Sequence, residues 1–269
     1  MKKEKKLSKI ICISLCLIFL YFPLVVMAVF SFNSAKSLSN FKGFSLRWYE
    51  SLFSNSQMLD AVIVSVTVAL LATIISTILG TLTAIALTKS KRLVRNIILQ
   101  VNNLPIMNPE IVTAISLMIF FSFINIEKGY MTMLFAHIAF CTPYVITNVY
   151  PKVKQLDENL ADAAMDLGAT PLQTLTKVIL PQIKPAILAG ALLAFTMSFD
   201  DFIISYFVSG NGVENISILI YNMSKRVNPS IYALSTIVMV VILLILLIGS
   251  FVPYIIVKRK GEKLNEKIS

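Results

Sequence analysis

Charge is scarce in this chain of 269 residues: 14% are Asp, Glu, Lys or Arg, where a water-soluble globular protein carries about a quarter. That shortage excludes a large soluble domain. With 57% hydrophobic residues and a mean hydropathy of +0.79, the chain belongs in a membrane. Cysteine is nearly missing. Cys12, Cys16 and Cys141 fall inside apolar stretches without CxxC spacing, so no disulfide framework or thiolate metal site is expected and they read as small apolar filler. The single histidine, His137, has no ligand-type neighbours in sequence and reads as a partner in a helix–helix hydrogen bond rather than as a catalytic base. No Gly-x4-Gly-Lys-Ser/Thr phosphate loop occurs, so ATP would have to be handled by another protein. A nucleophile–base pair in a recognisable spacing is also missing, which argues against a membrane enzyme.

Apolar runs are what the chain has instead. Six of them, near 10–31, 60–87, 97–124, 130–150, 186–208 and 232–257, each approach or exceed the roughly 20 residues that cross about 30 Å of hydrocarbon. The expectation is an all-α membrane protein of six transmembrane helices, with residues 1–269 forming a single transmembrane domain. The first run follows a lysine-rich start as a signal peptide would. It is longer than the roughly 7–15 residues of a signal core, so a retained first helix is expected. Ten prolines, several inside or beside the runs, predict kinked or broken helices.

The net charge of +10 raises nucleic acid as a partner, but its distribution removes that class. With the N-terminus placed in the cytoplasm, 18 of the 24 Lys and Arg fall on inside segments, including Lys89, Lys91, Arg92 and Arg95 and then Lys152, Lys154, Lys177 and Lys184. The positive-inside bias therefore predicts both termini cytoplasmic. Segment 32–59 becomes the longest outer loop, with Trp48 and Tyr49 as interfacial anchors. The second run carries Ser65, Ala69, Ala72, Thr73, Ser76, Gly80, Thr83 and Ala84 at spacings of three and four, a small-residue stripe for close packing in the bundle interior.

Segment 152–184 is the longest inner loop and reads as soluble. Asp157 can cap a short helix in which Leu160, Ala163, Ala164 and Leu167 recur on one face. Gly168 then supplies the left-handed residue that ends it. Thr170, Pro171 and Gln173 form a second start signal, with threonine as N-cap, proline in the first turn and glutamine completing a capping box. That second helix is expected to end near Pro181, with Pro185 opening the next span. By physics alone the unit either docks on another protein or covers its own bundle.

Those residues resemble the EAA loop of ABC-importer permeases: an acidic residue with two alanines in Asp162-Ala163-Ala164, then Gly168-Ala169, then Leu180-Pro181. Aspartate stands where the family usually has glutamate. The resemblance implies a type I ABC importer permease (MetI-like) fold. It also implies that 152–184 is the coupling loop to a cytoplasmic ATPase, with Asp162, Ala163, Ala164, Gly168, Ala169, Leu180 and Pro181 in that contact. Its expected partners are a second, homologous permease subunit, a dimer of ATPase subunits and an extracytoplasmic solute-binding protein. ATP and Mg would be bound by the ATPase, leaving this chain without a cofactor or catalytic activity in a multi-pass prokaryotic cell membrane. "LPIMNPEIVTAISL" and "LAFTMSFDDFIISYFVSG" resemble segments of the second permease subunit of spermidine/putrescine importers. Related permeases for ferric ion, sulfate or opines share parts of them, and thiamine is a further candidate solute.

Intramembrane carboxylates cost roughly 3 kcal/mol or more and mark a path or a site. Three stand out: Glu110, Asp200 and Asp201. Glu110 follows Asn102, Asn103, Pro105, Asn108 and Pro109, which predicts a broken helix. On a continuous fifth helix, Asp201 shares a small, polar face with Gly190, Ala194, Ser198 and Ser205, and is favoured over Asp200 as lining the path. Phe199, Phe202 and Tyr206 would supply aromatic surface for a polyamine's ammonium groups. The alternative is that these carboxylates pair with protein groups and lock the bundle. A self-contained secondary transporter is the competing class; no inverted repeat is evident that would favour it.

Overall fold

Long apolar helices dominate the fold, as hydrocarbon demands of any backbone that crosses it. A computed structural model describes residues 2–36, 40–157, 159–225, 229–241 and 243–244. Among the described residues, four helices are long and apolar enough to cross a bilayer: Lys9–Phe30 within α1 (Lys2–Phe30), α3 (Ser56–Lys89), α6 (Tyr130–Lys154), and a rod spanning Pro171–Phe199. A further apolar segment is broken, its halves α4 (Arg92–Met107) and α5 (Glu110–Phe123) being bent by 107°. Of the sixth expected run, 232–257, only the start is described, in a shorter apolar helix Ser230–Val241; the rest lies outside the described residues.

The chain divides into two compact units, Met1–Ser56 with Ile220–Ser269, and Gln57–Leu219. In the first, no residue of the Lys9–Phe30 span is buried. The loop after it is stapled by Asn33: its amide oxygen accepts from Ala35 N–H and Lys42 N–H, and its Nδ2 donates to the Asn40 carbonyl. Helix α2 (Arg47–Phe53) brings Trp48 onto this loop. There the indole donates to the Asn33 carbonyl at 2.7 Å with Arg47 stacked 4.4 Å over the ring. Trp48 is 7% exposed, so it does not serve as the free interfacial anchor expected; its N–H found an acceptor inside the loop.

The second unit is organised around α6. The small-residue stripe of α3 is buried at Ser65, Ala69, Ala72, Ser76, Gly80 and Ala84. At Gly80 the approach is so close that a Cβ would lie 2.7 Å from Val145 of α6. Helix α9 (Leu180–Phe199) meets the same valine, with Gly190 set so that a Cβ would stand 3.4 Å from its Cα. Cys141, fully buried on α6, turns its thiol to the Ala194 carbonyl, in keeping with a filler role.

Proline explains the break at α4–α5. Pro109 forces the residue before it out of the helical region, and Asn108 is extended at ψ 146°. At Pro181 the expectation fails. The helix that starts at Pro171 does not stop there but runs from α8 (Pro171–Gln173) through a π-helical segment, Thr174–Ile179, into α9. Proline in an α-helix clashes with the carbonyl four residues back; a π-turn just ahead of it widens the spiral there. The fifth run is not one helix either, since it stops at Phe199 and resumes as α10 (Ile203–Val208).

Gly80→Ala should destabilise the protein by about 1–3 kcal/mol, the usual cost of overpacking. Gly129→Ala, at an extended position with nothing within 4 Å of the added Cβ, should leave thermal unfolding in detergent unchanged.

Candidate functional site

Two regions of the second unit gather the residues singled out from the sequence. The first is the break between α9 and α10. Asp201 sits in it, 4% exposed. Its Oδ2 accepts from Ser205 N–H and from the Ser205 hydroxyl, both at 2.7 Å, and its Oδ1 from Ile204 N–H at 3.2 Å. The carboxylate thus caps α10, satisfying N–H groups that a helix start leaves without partners.

His137 reaches the same point from α6, its Nε2 3.3 Å from Asp201 Oδ2 and 3.0 Å from Ser205 Oγ. Asn215, at the start of α11 (Ile216–Lys225), donates from Nδ2 both to Ser205 Oγ and to the Asp201 carbonyl, at 2.9 Å each. Ser205 spends its single hydroxyl hydrogen on Asp201 and therefore accepts from both neighbours, which places a hydrogen on His137 Nε2. The Ser198 hydroxyl, 2.6 Å from Nδ1, completes the ring's partners. His137 is thus the helix–helix link that its isolation implied, in a network joining α6, α9, α10 and the start of α11. Asn215 and His137 were not singled out as partners of Asp201. They come from elements that are 14 and 64 residues away in sequence, and no periodicity relates them.

The remaining carboxylates stand at the edge of this network. Helix α5 packs on α10, bringing Glu110 within electrostatic reach of both Asp201 and Asp200. Glu110 is half-buried and Asp200 exposed. The Phe202 and Tyr206 rings meet at a tilt of 39° with centroids 5.4 Å apart, Tyr206 being 46% exposed. Of the residues assigned to a path, Asp201 and Ser205 are enclosed, while Asp200 and Tyr206 reach the surface.

The second region is the corner 157–173. Asp157 does not cap the first helix directly: its carboxylate accepts from Asn159 N–H at 2.9 Å, and α7 (Leu160–Asp166) starts one residue later. At the other end Gly168 takes φ +86°. Gly168 N–H bonds the Met165 carbonyl at 2.8 Å and Ala169 N–H the Ala164 carbonyl at 3.1 Å, the paired bonds of a Schellman end. Thr170 and Gln173 form the expected reciprocal cap, Gln173 N–H to Thr170 Oγ1 at 3.3 Å and Thr170 N–H to Gln173 Oε1 at 3.0 Å.

Asp162, Ala163 and Gly168 are exposed, and Ala164 and Ala169 are half-buried. Leu167 is 90% and Leu172 69% exposed, so the corner presents large apolar side chains that no described residue covers. Leu180 and Pro181 lie outside the corner, past the π-segment of the rod.

Residues 76–261 match a family described as "Binding-protein-dependent transport system inner membrane component". The chain is 37% identical over 235 residues to the spermidine/putrescine transport system permease protein PotC of Escherichia coli (strain K12), covering 87% of this chain and 89% of that one. It is also 37% identical over 239 residues to the putrescine transport system permease protein PotI of the same strain, covering 86% and 85%. A PotC homolog of Mycoplasma pneumoniae is 30% identical over 262 residues, covering 91% and 90%. Among solved structures, a bacterial ABC transporter involved in the import of the acidic polysaccharide alginate superposes with a TM-score of 0.72 over 93% of this chain and 96% of that one, at 16% identity. That likeness establishes the fold.

Asp201→Ala removes the acceptor of two backbone N–H groups and leaves His137 facing a void. Losing one side of a buried charged network typically costs about 3–5 kcal/mol, so the variant should unfold at markedly lower temperature in detergent, while Asp200→Ala should not.

Proposed function

The chain belongs to the family of inner membrane components of binding-protein-dependent transport systems, and from that premise we propose that it is a permease subunit of an ATP-driven polyamine importer. It forms half of a translocation path as one permease domain, residues 1–269, with six membrane crossings and both termini in the cytoplasm. A second, homologous permease supplies the other half. An extracytoplasmic binding protein delivers spermidine or putrescine to the outer side, and two ATPase subunits bind ATP and Mg on the inner side. The setting is a prokaryotic plasma membrane.

The observation that carries this reading is the corner at Gly168. A soluble, doubly capped pair of helices with Leu167 and Leu172 uncovered, set between membrane helices, has the form of a helix that enters a groove on a partner. Segment 152–184 is accordingly the coupling loop, with Asp162, Ala163, Ala164, Gly168 and Ala169 at the ATPase contact and Leu180 and Pro181 in the rod behind it. Helices α8 and α9 carry a displacement of that corner directly to the break at Asp201, because they form a continuous rod of 29 residues.

A polyamine's ammonium groups need negative charge without permanent capture. Glu110, Asp200 and the Phe202–Tyr206 pair provide carboxylates and π-faces at the edge of the network, and Asp201 with Ser205 holds that edge in place. Aromatic faces add about 0.5–2 kcal/mol per cation, weak enough for release.

Uptake of labelled spermidine by the reconstituted complex tests the assignment, with putrescine, ferric ion, thiamine and sulfate as competitors. Competition by putrescine alone is the expected result, and competition by one of the other solutes instead would reassign the substrate. Glu110→Gln with Asp200→Asn should lower uptake while leaving co-purification of the ATPase intact. Gly168→Ala places a Cβ on a left-handed residue, at roughly 1–2 kcal/mol; it should uncouple ATP hydrolysis from transport, and unchanged substrate-stimulated hydrolysis would count against the coupling role.

A further inference from the structure

We propose that a cavity behind α7 holds the phosphate of an anionic phospholipid headgroup. The cavity has a volume of about 330 Å³ and lies where the end of α3, the start of α4 and the end of α6 converge on the first residues of α7. Lys89, Arg95 and Lys154 line it, one from each of the three membrane helices. Among the described residues none of the three is engaged in an ion pair or a hydrogen bond. Asp157 is the one carboxylate lining the cavity, and its Oδ1 is already taken by Asn159 N–H.

The lining sets three cations on separate helices against one carboxylate, and a bound anion relieves the remaining excess of positive charge. Tyr150 adds a hydroxyl without a protein partner among the described residues, a donor suited to a phosphate oxygen.

Place and lining select a lipid over a free anion. Lys89 is the last residue of a 34-residue apolar helix and Lys154 the last of a 25-residue one, so the cavity stands at headgroup level, where basic clefts between membrane helices take acidic lipids. Ile85, Val153 and Leu160 form apolar wall, surface that suits the glycerol and first acyl carbons and gives nothing to inorganic phosphate. Because Leu160 and Ala161 open α7, a lipid held here touches the coupling helix itself and props its first turn against the membrane helices. Membrane anionic lipid thereby becomes a condition of coupling. The inference needs the chain to be membrane-embedded but is independent of which solute is carried.

The experiment is native mass spectrometry of the full-length chain with its co-purifying partners, after delipidation and titration with phosphatidylglycerol or phosphatidylcholine. Lipid retention is read on the protein, so a transporter of some other solute gives the same answer. A preference for phosphatidylglycerol is expected. The combination of Lys89→Gln, Arg95→Gln and Lys154→Gln should reduce it on the order of hundredfold, from three basic contacts at the surface. The neighbouring pair Lys91→Gln with Arg92→Gln, which does not line the cavity, should leave the preference intact. Equal retention of both lipids, or a preference untouched by the triple substitution, overturns the proposal. Competition by millimolar inorganic phosphate as effective as that by the lipid overturns it in favour of a free anion. A preference seen only after the ATPase has been stripped from the complex overturns it in favour of an acidic segment of that protein.

Discussion

A carboxylate buried among membrane helices is tolerated only if its surroundings hold it, and Asp201 is the group on which the second unit's arrangement depends. Stripped of water, it would cost several kcal/mol. Two backbone N–H groups, the Ser205 hydroxyl and the His137 ring answer that cost together. Each donor comes with a structural demand. The N–H groups are available because the helix breaks between Phe199 and Ile203. The histidine is available because α6 lies alongside, and Asn215 is drawn in because Ser205 has a lone pair left to fill. The break, the helix contact and the turn before α11 are consequences of satisfying one charge.

Close packing makes that arrangement possible. Val145 of α6 meets the glycines of two neighbours, Gly80 of α3 and Gly190 of α9. With no side chain at either position, backbones approach to distances that larger residues forbid, and dispersion rather than the hydrophobic effect holds helices together in lipid. The same approach brings Ser198 of α9 to within 2.6 Å of His137 on α6. Small residues along the seam and the polar node at its end are two parts of one contact.

The rod from Pro171 to Phe199 joins the Gly168 corner to the Asp201 network. One end is a corner built from local bonds alone: the Schellman end at Gly168 and the reciprocal cap of Thr170 and Gln173. Its other end abuts the Asp201 node. The helix thus runs unbroken from a locally capped corner to a charge-capped break. The π-segment before Pro181 is what allows that helix to be continuous.

The corner at Gly168, the break before Glu110 and the small-residue stripe of α3 were legible in the sequence because each rests on near neighbours: a capping pair three residues apart, a proline acting on the residue before it, a repeat of three and four along one helix. Three things were not. The helix through Pro181 was read as ending, since a π-turn's wider spiral leaves no mark in composition. Trp48 was read as an interfacial anchor, but its N–H found the Asn33 carbonyl across a folded loop. Asp201 was favoured as lining a path, with pairing to protein groups as the alternative, and its partners His137 and Asn215 come from distant elements that no local pattern announced. By itself the sequence determined membrane class and local helix ends, because hydrophobicity and capping act over a few residues. Which carboxylate is enclosed and which exposed was decided only by tertiary structure, because burial depends on helices that meet from distant parts of the chain.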